Sequence, residues 1–189
     1  MPISKKIILA SKSPRRQQMI KEMGFDYEIR TMDVEETYPS TLVREQIPIY
    51  LAKLKANSFE GKLAPDEILI TADTIVWLNN EVLQKPVDFE DAVRILTALS
   101  GNMHEVFTGV CLKSDKKQKT FHAESKVYFK NLTREEIEYY VLNYKPFDKA
   151  GAYGIQEWIG YIGIKHIEGS FYNVMGLPTG RLYEELMEF

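Results

Sequence analysis

The segment Ile7-Ile8-Leu9-Ala10-Ser11-Lys12-Ser13-Pro14-Arg15-Arg16 narrows the possible folds more than any other part of the chain. An apolar strand runs into two hydroxyls, a proline suited to the first helical position and two arginines. Ser13 is a good N-cap, and Pro14 loses nothing by lacking an N–H in the first turn, so a helix is predicted to begin there. The first-turn N–H groups and the positive end of the helix dipole then face the space occupied by Ser11, Arg15 and Lys12. Such a space favours a polyphosphate. The residues alone leave the plainer alternative open, in which Ser-x-Ser-Pro is only a helix start and the arginines are solvated.

A chain of 189 residues with 44% hydrophobic content can bury one sizeable core and is short for two, so one domain over 1–189 is expected. The net charge of -3 argues against binding a nucleic-acid polymer through bulk charge. The single cysteine, Cys111, excludes an internal disulfide and a cysteine-rich zinc site, and its apolar neighbours suggest a buried strand. Lys5-Lys6 precedes only four apolar residues, too few for a signal-peptide core, and no later run is long enough to span a bilayer. A cytoplasmic protein with no membrane partner is expected.

Helical spacing and punctuation predict a helix over 14–23 ending at Gly24, a strand over 25–29, and a helix starting near Pro48 that carries Ala52, Lys55, Ala56 and Phe59. Residues 67–78 read as a strand joined through Asn79-Asn80 to a second strand over 81–83. Asp88 caps a helix ending near Gly101. Strands follow over 103–113 and 119–130 around the turn Ser114-Asp115-Lys116-Lys117. Thr133 and Glu136 form a capping-box pattern before Ile137, Tyr140 and Val141. Residues 150–167 suggest two tightly turned strands, and a last helix follows Gly176-Leu177-Pro178.

Asp73 lies in a polar island, Thr71-Ala72-Asp73-Thr74, within an apolar strand, and a carboxylate there needs a partner. It suits a divalent metal ligand or a proton acceptor for an attacking water; a structural pairing with backbone N–H groups or a lysine is the alternative. Glu35 and Glu36 offer a second metal ligand or simply an exposed acidic loop. Lys55, Lys85 and Lys149 are candidates for neutralising phosphate oxygens, though lysines are most often solvated. Gln156, after the glycine-rich Gly151-Ala152-Tyr153-Gly154, carries an amide able to read a base edge or to bond a neighbouring strand. His104, His122 and His166 lack metal-ligand spacing. Neither a P-loop nor a Gly-x-Ser-x-Gly nucleophile motif occurs.

Taken together, Leu9-Ala10-Ser11-Lys12-Ser13-Pro14-Arg15-Arg16, Ala72-Asp73-Thr74-Ile75-Val76, Lys85-Pro86, Leu99-Ser100-Gly101 with His104 and Thr108-Gly109, Asp148 to Gln156, Gly169-Ser170, Asn173-Val174 and Gly176-Leu177-Pro178 resemble the Maf, or septum-formation-inhibitor, family of nucleoside triphosphate pyrophosphatases. The resemblance implies a single α/β domain with a long curved mixed sheet flanked by helices, and two lobes around a deep cleft as in inosine triphosphate pyrophosphatases. It implies a hydrolase acting on the α-β phosphoanhydride bond, yielding the nucleoside monophosphate and pyrophosphate with Mg²⁺, or Mn²⁺ in its place. By the same resemblance, Asp73 is the proton acceptor, and Ser11, Arg16, Glu36, Lys55 and Lys85 lie on the phosphate or metal side, Glu36 and Asp73 being the metal ligands. Arg15, Thr74 and Gln156 match the specificity positions of the branch similar to dTTP/UTP pyrophosphatases, with CTP and modified pyrimidine nucleotides as further candidates. Family members are often dimers.

One departure stands out: family members usually place glycine after the Ile-Gln pair, whereas Glu157 and Trp158 follow here, so a bulkier or more acidic pocket lip is expected. The rival readings are a pyrophosphatase for 7-methyl-GTP or other modified nucleotides, and a nucleotide-sensing regulator of cell division without significant turnover.

Overall fold

The computed structural model describes residues 5–189; residues 1–4 of the expected domain lie outside the described part. Strands and helices alternate through most of the chain: β1 (Lys6–Leu9), α1 (Pro14–Glu22), β2 (Tyr27–Ile29), α2 (Gln46–Asn57), β3 (Glu67–Leu78), β4 (Glu81–Leu83), α3 (Phe89–Leu99), β5 (Met103–Lys113), β6 (Gln118–Phe129), α4 (Arg134–Tyr144), α5 (Trp158–Gly163), β7 (Ile164–Gly169), α6 (Phe171–Met175) and α7 (Thr179–Glu188). The strands form one mixed seven-stranded sheet in the order β2-β1-β3-β5-β6-β7, with β4 paired to β3. By contacts the chain divides into two compact units, and the divisions fall inside β3, β5 and β6 and between α6 and α7.

The first unit holds the chain up to Thr74, Thr108–Ala123 and Gly176–Phe189. Here β1 pairs in parallel with both β2 and β3. Strands paired on both sides and covered by helices read as continuous apolar runs, and β1 does so after Lys6, as does β3 on either side of its polar stretch 71–74. Ile8, Leu69 and Cys111 pack with Ala52, Ala56 and Phe59, which come from α2 and the turn after it. Two contacts fix α2 on the sheet. The Thr71 hydroxyl donates to the Ala52 carbonyl at 2.7 Å, and Gly109 lets the backbone of Pro48 come so close that a Cβ there would lie 2.3 Å from the Pro48 carbonyl carbon. The helix begins at Gln46, two residues before the expected start, because proline is tolerated in a first turn that needs no intrahelical N–H.

The second unit holds Ile75–Phe107 and Glu124–Met175. The hairpin expected at Asn79-Asn80 is present: both residues have positive φ, 51° and 65°, as a primed two-residue turn requires, and β4 returns antiparallel to β3. Asp88 caps α3 by accepting from the Asp91 N–H at 2.8 Å, and the Thr133–Glu136 capping box opens α4. Ala92, Ile95, Leu96 and Leu99 of α3 pack with Ile137, Tyr140 and Val141 of α4 and with Val106, Val127 and Phe129 of the sheet.

The expectation of two strands over 150–167 is not met. Residues 150–152 form a 3-10 turn, α5 follows, and only β7 is a strand. The reason lies at Gly160, where a Cβ would meet the Ile155 carbonyl oxygen at 1.8 Å: the glycine permits a compact turn that extended strands would not make. Among the described residues no helix is long and apolar enough to cross a membrane.

Candidate active site

Asp73 sits in β3 with its side chain 12% exposed, in a short polar stretch between the apolar runs 68–70 and 75–78. A carboxylate so placed is costly unless paired. The partner is Lys55, in the last turn of α2, whose ammonium lies 2.7 Å from Asp73 Oδ1 and 3.0 Å from Glu36 Oε1. One cation thus gathers two carboxylates from parts of the chain that the sequence keeps apart. Lys55 reaches them because Thr71 and Gly109 hold α2 against the sheet.

The helix start is as expected. Ser13 caps α1 and Pro14 occupies its first turn. Ser11 is buried, with its hydroxyl 3.2 Å from the Ser13 N–H. Arg16 does something the sequence did not reveal. Its Nε donates to the Gly176 carbonyl at 2.8 Å, Nη1 to the Ala72 carbonyl at 3.0 Å and Nη2 to the Thr74 hydroxyl at 3.0 Å. The last two acceptors bracket Asp73, so the guanidinium holds the backbone that carries the carboxylate. Burial lowers the Arg16 pKa, and Asp73 and Glu36 raise it while Arg15 lowers it, so all three charges act on the same guanidinium.

Thr74 is committed in the same network. Its Oγ1 lies 2.9 Å from the Thr108 hydroxyl and 3.4 Å from the Gly176 carbonyl. Neither Thr108 nor Gly176 was singled out for the site from sequence, although both lie in the blocks that carry the family resemblance. Lys12 is exposed and pairs with Asp33 at 3.2 Å. Ser11, Arg15, Arg16, Glu36, Lys55, Asp73 and Thr74 all belong to the first unit.

Lys85 and Gln156 belong to the second. Lys85 is exposed on the segment before α3. The Gln156 side-chain oxygen is buried and has no hydrogen-bond partner among the described residues. Lys149, a sequence candidate for phosphate neutralisation, is buried and paired with Asp148 at 2.7 Å and Glu157 at 3.2 Å. Cys111 is buried, and burial pushes its thiol up to about 11, which leaves no thiolate near neutrality.

Chemically, the Asp73 and Glu36 carboxylates are hard oxygen donors within reach of one small cation, a donor set that fits a magnesium-like ion completing its shell with water and substrate phosphates. Among the described residues no group of three or more His, Cys, Asp or Glu side chains gathers into a metal cage.

A mixed α/β sheet, a capped helix start with two arginines and a carboxylate pair bridged by lysine define an α/β protein with a charged site. The particular family follows from comparison. A family model for Maf-like proteins matches residues 6–189, and the chain belongs to that family. The chain is 56% identical over 181 residues to a dTTP/UTP pyrophosphatase of Bacteroides thetaiotaomicron, covering 95% of this chain and 94% of the relative. It is 54% identical over 181 residues to a dTTP/UTP pyrophosphatase of Flavobacterium johnsoniae, covering 96% and 93%. Among solved structures, a HAM1 protein from Coxiella burnetii shares the fold at a TM-score of 0.52 and 17% identity, over 98% of this chain and 100% of that one.

Proposed function

We propose that this chain is a nucleoside triphosphate pyrophosphatase that hydrolyses dTTP and UTP between the α and β phosphates. The observation that carries this reading is the triad of Asp73, Lys55 and Glu36, with Arg16 bonded on either side of Asp73. Relatives of more than half identity named dTTP/UTP pyrophosphatases support the same substrate class.

In this mechanism Asp73 accepts the proton of the water that attacks the α phosphorus. Lys55 pairs with Asp73 and, with Arg15 and the α1 start at Ser11 and Ser13, offsets the charge of the triphosphate. Arg16 acts mainly by holding β3 in place. A divalent ion, Mg²⁺ in the cell, bound through Asp73 and Glu36 would supply charge neutralisation for the phosphates. Lys85 is assigned to the phosphate chain by its Lys-Pro motif. Gln156 is assigned to the base: its buried oxygen needs an N–H donor, and the imino N–H of uracil and thymine is one that cytosine lacks at that position. Thr74 contributes to specificity through its place beside Asp73. Free nucleotides as substrates support a cytoplasmic location.

The test is pyrophosphate release from dTTP, UTP, CTP, purine triphosphates and 7-methyl-GTP with Mg²⁺, run on the wild type and on Asp73→Asn. Release from dTTP and UTP that falls by at least about a hundredfold in Asp73→Asn is expected, the usual scale for a general base. Near-normal turnover in the variant refutes Asp73 as the proton acceptor. No turnover by the wild type refutes the enzymatic reading in favour of a nucleotide sensor.

A further inference from the structure

Gln156 sits at the corner of a turn closed by the Glu157 N–H donating to the Gly154 carbonyl at 3.0 Å. Both ends of that turn are tied to one hydroxyl. The Gly154 N–H donates to Tyr140 Oη at 2.9 Å, and the Tyr140 O–H donates to Glu157 Oε2. Tyr140 comes from α4, is fully buried, and is held at the centre of the apolar packing of that helix against α3. Burial, with the Glu157 carboxylate beside it, raises the Tyr140 pKa, so the phenol stays a donor.

Glu157 is the residue that departs from the family's usual glycine, and it does not form the acidic lip expected from sequence. Its other oxygen lies 3.2 Å from the buried ammonium of Lys149, and Trp158 turns to pack on Tyr139 with ring centroids 4.8 Å apart. The carboxylate also lies over Gly154, where a Cβ would approach Glu157 Cδ to 2.7 Å. The turn is therefore braced at both ends by a rigid aromatic and a charge-paired carboxylate, while the Gln156 oxygen at its corner is left without a partner.

We infer that Tyr140 and Glu157 are positioning residues for base recognition: by locking the Gly154–Glu157 turn, they hold the Gln156 amide ready for the imino edge of a uracil or thymine nucleotide. The inference rests on the assignment of Gln156 to the base. Neither residue touches the substrate. Their effect is on the orientation of an amide whose rotation or displacement would cost the hydrogen bond that separates uracil from cytosine.

The test compares wild type, Tyr140→Phe, Glu157→Ala and Gln156→Ala by titration calorimetry with UMP, CMP and inorganic pyrophosphate in Mg²⁺, with a thermal melt to confirm folding. Tyr140→Phe keeps the ring and removes only the hydroxyl. It is expected to lower the preference for UMP over CMP about tenfold, the scale of one neutral hydrogen bond, towards that of Gln156→Ala, with pyrophosphate affinity unchanged. A merely structural role would weaken all three ligands together, and that result overturns the inference. Should Tyr140→Phe not fold, Glu157→Ala carries the same test. A folded variant whose preference stays within about twofold of wild type overturns it, as does a wild type without preference. A wild type that prefers UMP but releases no pyrophosphate from UTP overturns the pyrophosphatase reading and leaves this one standing.

Discussion

Arg16 and Thr74, 58 residues apart in sequence, are joined by a 3.0 Å hydrogen bond from Nη2 to the threonine hydroxyl. The same guanidinium reaches the Ala72 and Gly176 carbonyls, so one side chain of α1 holds the residues on both sides of Asp73, one through backbone and one through a hydroxyl, and anchors the segment before α7. Planar, forked donors make this possible, and a lysine ammonium cannot serve the three acceptors in the same geometry. Arg16→Lys is expected to keep the charge yet lower kcat by roughly tenfold to a hundredfold, the cost of a slightly misplaced catalytic group, and to lower stability by about 1–3 kcal/mol. Steady-state kinetics with UTP and a chemical denaturation curve measure both. Activity retained in the lysine variant would show that charge alone matters.

Gly109 governs Lys55 at a distance. A Cβ at this position meets Pro48 and Ile49 backbone atoms at 2.3 and 2.4 Å, and backbone cannot swing aside as a flexible side chain can. Gly109→Ala should push α2 off the sheet and carry Lys55 away from Asp73. A loss of about 1–3 kcal/mol is expected from overpacking, with a fall in kcat larger than any change in KM. Wild-type kcat in a destabilised variant would uncouple the helix position from the site.

His104 supplies a pH dependence of stability. It is buried beside Phe129, with Nε2 2.7 Å from the Tyr153 hydroxyl, and Nδ1 has no partner among the described residues. Burial lowers its pKa from 6.5 to about 3. The unfolded chain therefore binds a proton that the folded chain refuses. The stabilisation is complete above 6.5 and is lost as pH falls towards 3, at up to about 1.4 kcal/mol per pH unit. His104→Gln retains a hydrogen-bonding side chain and does not titrate. Its stability should be flatter than wild type between about pH 5 and 6, above the range where Glu67 and Glu185, held down by Arg30 and Lys119, take up protons. Parallel slopes for the two proteins, from denaturant titrations at each pH, would exclude His104 as the source.

Much of the local structure was legible because its causes are local. The Ser13-Pro14 helix start, the Asn79-Asn80 hairpin, the Asp88 cap and the Thr133–Glu136 capping box each depend on residues within one turn of each other. Residues 150–167 were misread because the backbone approach at Gly160 leaves no periodic trace, and α6, only five residues long, has too few to show one. Glu157 gave no sign of its direction, since its partners Tyr140 and Lys149 lie on other elements.

By itself, then, the chain's order of residues determined where the locally capped helices and the Asn79-Asn80 hairpin lie, which faces are apolar, and which polar side chains had to find partners. The partners were decided only when distant strands and helices met. Caps, turns and hydrophobic periods act over a few residues, but Arg16 chose Gly176 across 160 positions and Lys55 chose Asp73 across 18. Long charged side chains take whichever acceptor packing brings within 3 Å or so, and packing is a property of the assembled sheet.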